Sequence, residues 1–134
     1  MKRLLSLILG AWVAMTAAAA QGADPINDVI GGQLQSFNDR DVQGAWHYAS
    51  PTIKDLFGDA RNFGVMVQRA YPMVWDNADV RFLDRREIAG NLWQKVMIRD
   101  AQGGLHMLDY QMIQTPDGWQ INAVQLLRAP DIGV

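Results

Sequence analysis

The chain has 134 residues, 49% of them hydrophobic, and a formal charge of −2, which fits a single globular domain. It has no cysteine, so disulfides, thiolate zinc sites, thiol catalysis and a lipid anchor on an N-terminal cysteine are excluded. Without Lys2 and Arg3 the balance is 10 basic against 14 acidic residues, a net −4, which argues against nucleic acid or an anionic membrane as partner.

Residues 1–23 have the physics of a secretory signal. Lys2 and Arg3 give a positive start, Leu4 to Ala14 an apolar run, and Ala17 to Ala20 a small-residue region. Ala18-Ala19-Ala20 fits the small-x-small cleavage rule, with Ala20-Gln21-Gly22 and a cut after Ala23 as alternatives. An uncleaved anchor is the competing reading, but the stretch is short for a span and its second half is weakly lipophilic alanine. The expectation is an exported protein, periplasmic or secreted, with no membrane attachment after cleavage and one domain over residues 24–134.

The first half of that domain reads as helices. Asp24-Pro25 supplies a cap and a first-turn proline, and Ile26, Val29, Ile30, Leu34 and Phe37 follow on one face. Gly31-Gly32 weakens this helix by about 1 kcal/mol per glycine and allows close packing or a kink. Asp39 or Asp41 caps a second helix with Val42, Ala45, Trp46 and Ala49 as its stripe. Ser50-Pro51 starts a third, carrying Ile53, Leu56 and Phe57, and Gly58 stops it. Phe63, Met66, Val67, Ala70, Tyr71 and Val74 make the clearest amphipathic stripe, ended or kinked by Pro72 near Tyr71.

The second half reads as strands at about Val80–Ile88, Leu92–Arg99, Leu105–Gln114 and Trp119–Leu127. Gly90-Asn91, the Asp100–Gly104 loop and Pro116-Asp117-Gly118 are the turns between them. Turns this short make neighbours antiparallel, so the sheet is a four-stranded meander. Helices followed by an antiparallel sheet make an α+β fold. Pairing across these turns puts Phe82, Ile88, Trp93, Met97, Leu108, Tyr110, Met112, Trp119 and Ile121 on one face. Leu83, Leu92, Val96, Ile98, Met107, Ile113, Val124 and Leu126 fall on the other, with Arg85, Gln94, Asp109, Gln111 and Asn122. A bulge would shuffle that division.

An ordered set of residues carries a family resemblance. It runs through Gln33-Leu34-x-x-Phe37, Ala49-Ser50-Pro51-x-Ile53, Phe57, Phe63-x-x-Met66-Val67, Tyr71 and Gln94, and ends with Asp117-Gly118-Trp119-x-Ile121 and Leu126-Leu127-Arg128. It resembles a bacterial secreted family known as domain of unknown function 4864. That family is similar to the cone-shaped superfamily named after nuclear transport factor 2, which includes ketosteroid isomerases and polyketide cyclases. The resemblance implies helices on a curved, cone-forming meander. It carries no activity, because this fold hosts enzymes and binding proteins alike.

The candidate site residues are Tyr48, Tyr71, Asp109 and Tyr110. In the isomerase-like relatives an Asp or Tyr inside the cone does the chemistry, and helix residues facing the sheet line the cavity. That makes Asp109 the best acidic candidate and Tyr48 and Tyr71 the best ligand contacts. Asp109 and Tyr110 are adjacent on a strand and point to opposite faces, so they cannot share a site. Asp109 is alternatively a half-exposed residue paired with Arg85 or bonded to Gln111. His47 and His106 have no metal-binding spacing, and no metal or other cofactor is expected. No Gly-x-Ser-x-Gly is present and no Lys-Ser/Thr follows Gly103-Gly104, so neither a hydrolase serine nor a phosphate loop is indicated. The preferred reading is a non-enzymatic module that binds a small apolar ligand or a protein. The alternative is an isomerase- or cyclase-like enzyme. A homodimer through the open sheet face is a third possibility.

Overall fold

The computed structural model describes residues 24–128; the signal segment expected over residues 1–23 lies outside them. Five helices come first: α1 (Pro25–Asn38), α2 (Val42–His47), α3 (Pro51–Phe57), α4 (Ala60–Ala70) and α5 (Pro72–Trp75). Four strands follow: β1 (Asn77–Ile88), β2 (Asn91–Asp100), β3 (Leu105–Thr115) and β4 (Gly118–Leu127). They form one antiparallel sheet in the order β1-β2-β3-β4. This is the expected α+β architecture, a helical layer on one face of a meander.

The helix starts follow from side chains that satisfy free backbone amides. Asp24 accepts from the Ile26 and Asn27 amides at 3.1 and 3.2 Å. Asp41 accepts from Gly44 at 2.9 Å, Ser50 from Ile53 at 3.3 Å and Asp59 from Asn62 at 2.8 Å. Gly58 ends α3 at φ +86°, a conformation that glycine adopts without strain. Pro72 does not extend α4; it opens the short α5 after Tyr71. On α1 the buried positions are Ile26, Ile30, Gln33, Leu34 and Phe37, one face of the helix. Gly32 allows α2's end to approach, since a Cβ there would sit 2.5 Å from Tyr48 Oη.

Two junctions join the layers. Asn77 Nδ2 donates to the Leu34 and Val74 carbonyls at 3.0 and 2.8 Å, and its Oδ1 accepts from Asn38 at 3.0 Å. One side chain thereby ties α1, α5 and the first residue of β1. At the other end, Ser50 N donates to Ile121 O and Ile121 N to Tyr48 O, both at 2.9 Å. This isolated bridge holds the α2–α3 connection against β4.

The sheet corrects three readings. β1 begins at Asn77 rather than Val80, because Asn77 is held by those helix carbonyls. The first hairpin turns at Ala89-Gly90 rather than Gly90-Asn91, with φ of +52° and +82°, the two positive values of a type I′ turn. The division of faces is also different. Val96, Ile98, Leu108, Tyr110, Met112 and Ile121 are buried together under the helices. Met97 pairs with Met107, and Trp93 with Gln111, on the opposite face.

The causes are local. Arg99 pairs with Leu105 across a five-residue loop, so positions of equal parity face each other in β2 and β3. Irregularities between Phe82 and Arg85 and between Gln111 and Met112 shift the pairing again. The second leaves Asn122 unpaired, so Ile121 pairs with Met112 and Val124 with Tyr110. Both therefore reach the core side despite unlike parity.

Candidate functional site

A cavity of about 290 Å³ lies between the helical layer and the β3–β4 half of the sheet. Phe37 from α1, Ile53 and Phe57 from α3, and Phe63, Met66 and Val67 from α4 form its helical wall. Tyr110, Ile121 and Val124 form the sheet wall, and Tyr71 closes the corner. Aromatic edges stiffen the helical side: the Phe63 ring centroid lies 5.5 Å from Trp46 and 5.9 Å from both Phe37 and Phe57. The mouth is at α3. No residue of that helix is fully buried, and Leu56, which also lines the cavity, is 73% exposed.

Among the described residues the lining has four polar side chains: Gln33, Tyr71, Tyr110 and Asn122. Three are engaged. Gln33 Nε2 donates to the Ala45 carbonyl at 3.2 Å, and Tyr71 Oη donates to the Val124 carbonyl at 3.2 Å. Asn122 accepts from Ser50 Oγ and donates to Gln111, each at 2.8 Å. The fourth, Tyr110, is 1% exposed, and its hydroxyl has no hydrogen-bond partner among the described residues. Burial, then the neighbouring Tyr71, pushes the Tyr110 phenol well above its ordinary pKa of 10.0. It remains a neutral O–H donor throughout the physiological range.

The four candidate residues do not form one site. Tyr71 and Tyr110 meet in the cavity wall. Tyr48 lies outside it, in a separate cleft with His47, Lys54 and Trp119, because the chain turns after α2 to bridge β4. Asp109 is on the far face of the sheet, and its position opposite to Tyr110 follows the strand alternation. Its partner is Arg86, not Arg85 or Gln111: two bonds of 2.9 and 2.6 Å join the guanidinium to both carboxylate oxygens. The irregularity after Phe82 is the reason. It turns Arg85 toward Gln94 and Asp24, at 2.8 Å each, and Arg86 toward the open face. Bonding to Asp109 raises the Arg86 pKa further, against a smaller opposite effect of burial. Asp109 is 5% exposed, more buried than the sequence suggests.

His106 Nε2 lies 2.7 Å from Asp100, beside the β2–β3 loop, and His47 is exposed. Gln33 is the lining residue that periodicity missed as a site candidate. The signal was available: it stands between Ile30 and Phe37 at helical spacing, a polar residue on an apolar stripe. Asn122 gave no such signal, since its place depends on the bulge.

These features define an α+β domain with an apolar cavity between its helices and one half of its sheet. The chain belongs to the family described as Domain of unknown function (DUF4864), whose sequence profile matches residues 19–134. Neither the curated proteins nor the solved structures contain a significant match.

Proposed function

We propose that the protein is an exported binding module that takes up a small apolar ligand in this cavity, within a cone-shaped fold like that of nuclear transport factor 2. The observation that carries the reading is the composition of the wall. Among the described residues it is mostly aliphatic and aromatic, has few polar groups, and contains no carboxylate, imidazole or amine. Ligand sites are typically concave and apolar with a few placed polar groups. A proton-transfer enzyme needs a base within reach of the reacting carbon, and Asp109 is bonded to Arg86 on the other face. Export is supported by the charged-apolar-small pattern of residues 1–23.

The test uses the full chain expressed in a bacterium. Native mass spectrometry of the exported protein reads the cleavage site and any retained ligand. Titration of the labelled protein with tetralin, followed by amide NMR, is expected to move signals at Tyr71, Tyr110, Ile121 and Val124. Tetralin shifts that are absent, or confined to β2 residues of the open face, refute the reading.

That open face supports a further proposal, a homodimer. Trp93, Met97 and Met107 are only half-buried there, around the Arg86–Asp109 pair. Light scattering across a concentration series tests it, and a monomer at tens of micromolar rejects it.

A further inference from the structure

The cavity reading leaves open what kind of apolar molecule fits. Size gives one bound: a cavity of about 150 Å³ accommodates benzene, so about 290 Å³ suits roughly a dozen non-hydrogen atoms. Charge gives another. Among the described residues no lysine, arginine or histidine lines the wall, so a carboxylate or phosphate would lose its water without gaining an ion partner there.

The polar inventory gives the third. Nearly all buried polar groups in folded proteins are hydrogen-bonded, and an exception calls for a cause. Tyr110 is an exception at mid-strand, where it pairs with Gln94 on one side and Val124 on the other. A phenylalanine would fill the same space without leaving a hydroxyl unpaired. Each of the other three polar side chains of the wall makes at least one bond to protein, whereas the Tyr110 hydroxyl makes none among the described residues.

We infer that the ligand is an uncharged, compact molecule with one hydrogen-bond acceptor, a ketone, ester or ether oxygen, that receives the Tyr110 O–H at the inner end of the cavity. The inference rests on the cavity reading and goes beyond it. The hydrocarbon body fills the space between Phe63, Val67 and Val124. Its acceptor lies against Tyr110, and its far end faces Leu56 at the mouth. Tyr110 selects for the acceptor because an oxygen-free analogue offers its hydroxyl no partner, and none is present among the described residues.

The experiment compares tetralin, 1-tetralone and 1-naphthoate as probes, with wild-type protein and Tyr110→Phe. Phe keeps the ring and removes only the hydroxyl, so the variant folds. The readout is the change in each probe's Kd between the two proteins, which cancels differences in water solubility. Tyr110→Phe is expected to weaken 1-tetralone about tenfold, the effect of one buried neutral hydrogen bond, and to leave tetralin within about twofold. The carbonyl band of bound 1-tetralone should move to lower wavenumber in wild type and return in the variant. Naphthoate should bind weakest to both.

Tetralin binding with no Tyr110→Phe effect on 1-tetralone overturns this inference and leaves the cavity reading standing. Equal weakening of tetralin and tetralone overturns it too, because the role is then steric. Tighter binding of naphthoate than of tetralone overturns the uncharged class. Binding of neither neutral probe removes the cavity reading and this inference together.

Discussion

Arg86→Met tests whether the far face of the sheet depends on its ion pair. The substitution keeps most of the aliphatic stem and removes both bonds to Asp109. Removing one partner of a buried ion pair typically costs about 3–5 kcal/mol, because the other charge is left uncompensated. Two observations reduce the figure here. The Arg86 side chain is 28% exposed against 7% for Asp109, so the pair is only partly withdrawn from water. Lys95 also stands directly opposite Asp109 across β2 and β3 and can move to it. The expected loss is therefore about 2 kcal/mol. With a urea slope of about 1–2 kcal/mol/M, the unfolding midpoint should fall by about 1–2 M at unchanged slope. Arg86→Met with Asp109→Leu removes both charges and should recover to within about 1 kcal/mol of wild type. The reasoning is refuted if the single variant leaves the midpoint unmoved, or if the double variant is less stable than the single. Repeating the titration at several protein concentrations separates this effect from dimer dissociation.

Two other perturbations test separate parts of the structure. Asn77→Ala breaks the three side-chain bonds joining α1, α5 and β1 and should cost about 2–4 kcal/mol in urea unfolding; a loss under about 1 kcal/mol contradicts the junction role. The Asp100 carboxyl is held below its ordinary 3.8 first by the bond to His106, then by the Gly104 and Gln102 amides. A depressed carboxylate adds stability above its unfolded pKa and loses it as pH falls through the folded one. Wild type should therefore lose more stability than Asp100→Asn between about pH 5 and about pH 2, and parallel stability curves would exclude the link.

The elements were legible where one residue sets the backbone. Asp24-Pro25, Ser50-Pro51 and Gly58 fix helix ends through local bonds and φ, so their sequence reading holds. Strand existence was equally plain, because glycines punctuate β-prone runs. The faces were not legible, since parity depends on the loop count between Arg99 and Leu105 and on two irregularities set by packing. The same cause separated the candidate site. Tyr71 ends the helical stripe and so reaches the cavity without a register choice, whereas the face that Tyr110 takes was settled by the sheet pairing. Asp109's partner required knowing where β1 shifts, and Tyr48's position required the long-range bridge to Ile121.

The mouth of the cavity has a kinetic consequence. α3 has no fully buried side chain and ends at Gly58 with a positive φ, which places it among the segments with the least burial to lose on opening. On the proposed reading, a guest enters and leaves by displacing this single short turn while Phe37, Val67 and Tyr110 keep their places. Residence time would then be tuned through the exposed Leu56 with little change in how firmly the domain is built, whereas Phe57, packed on Phe63, would change both.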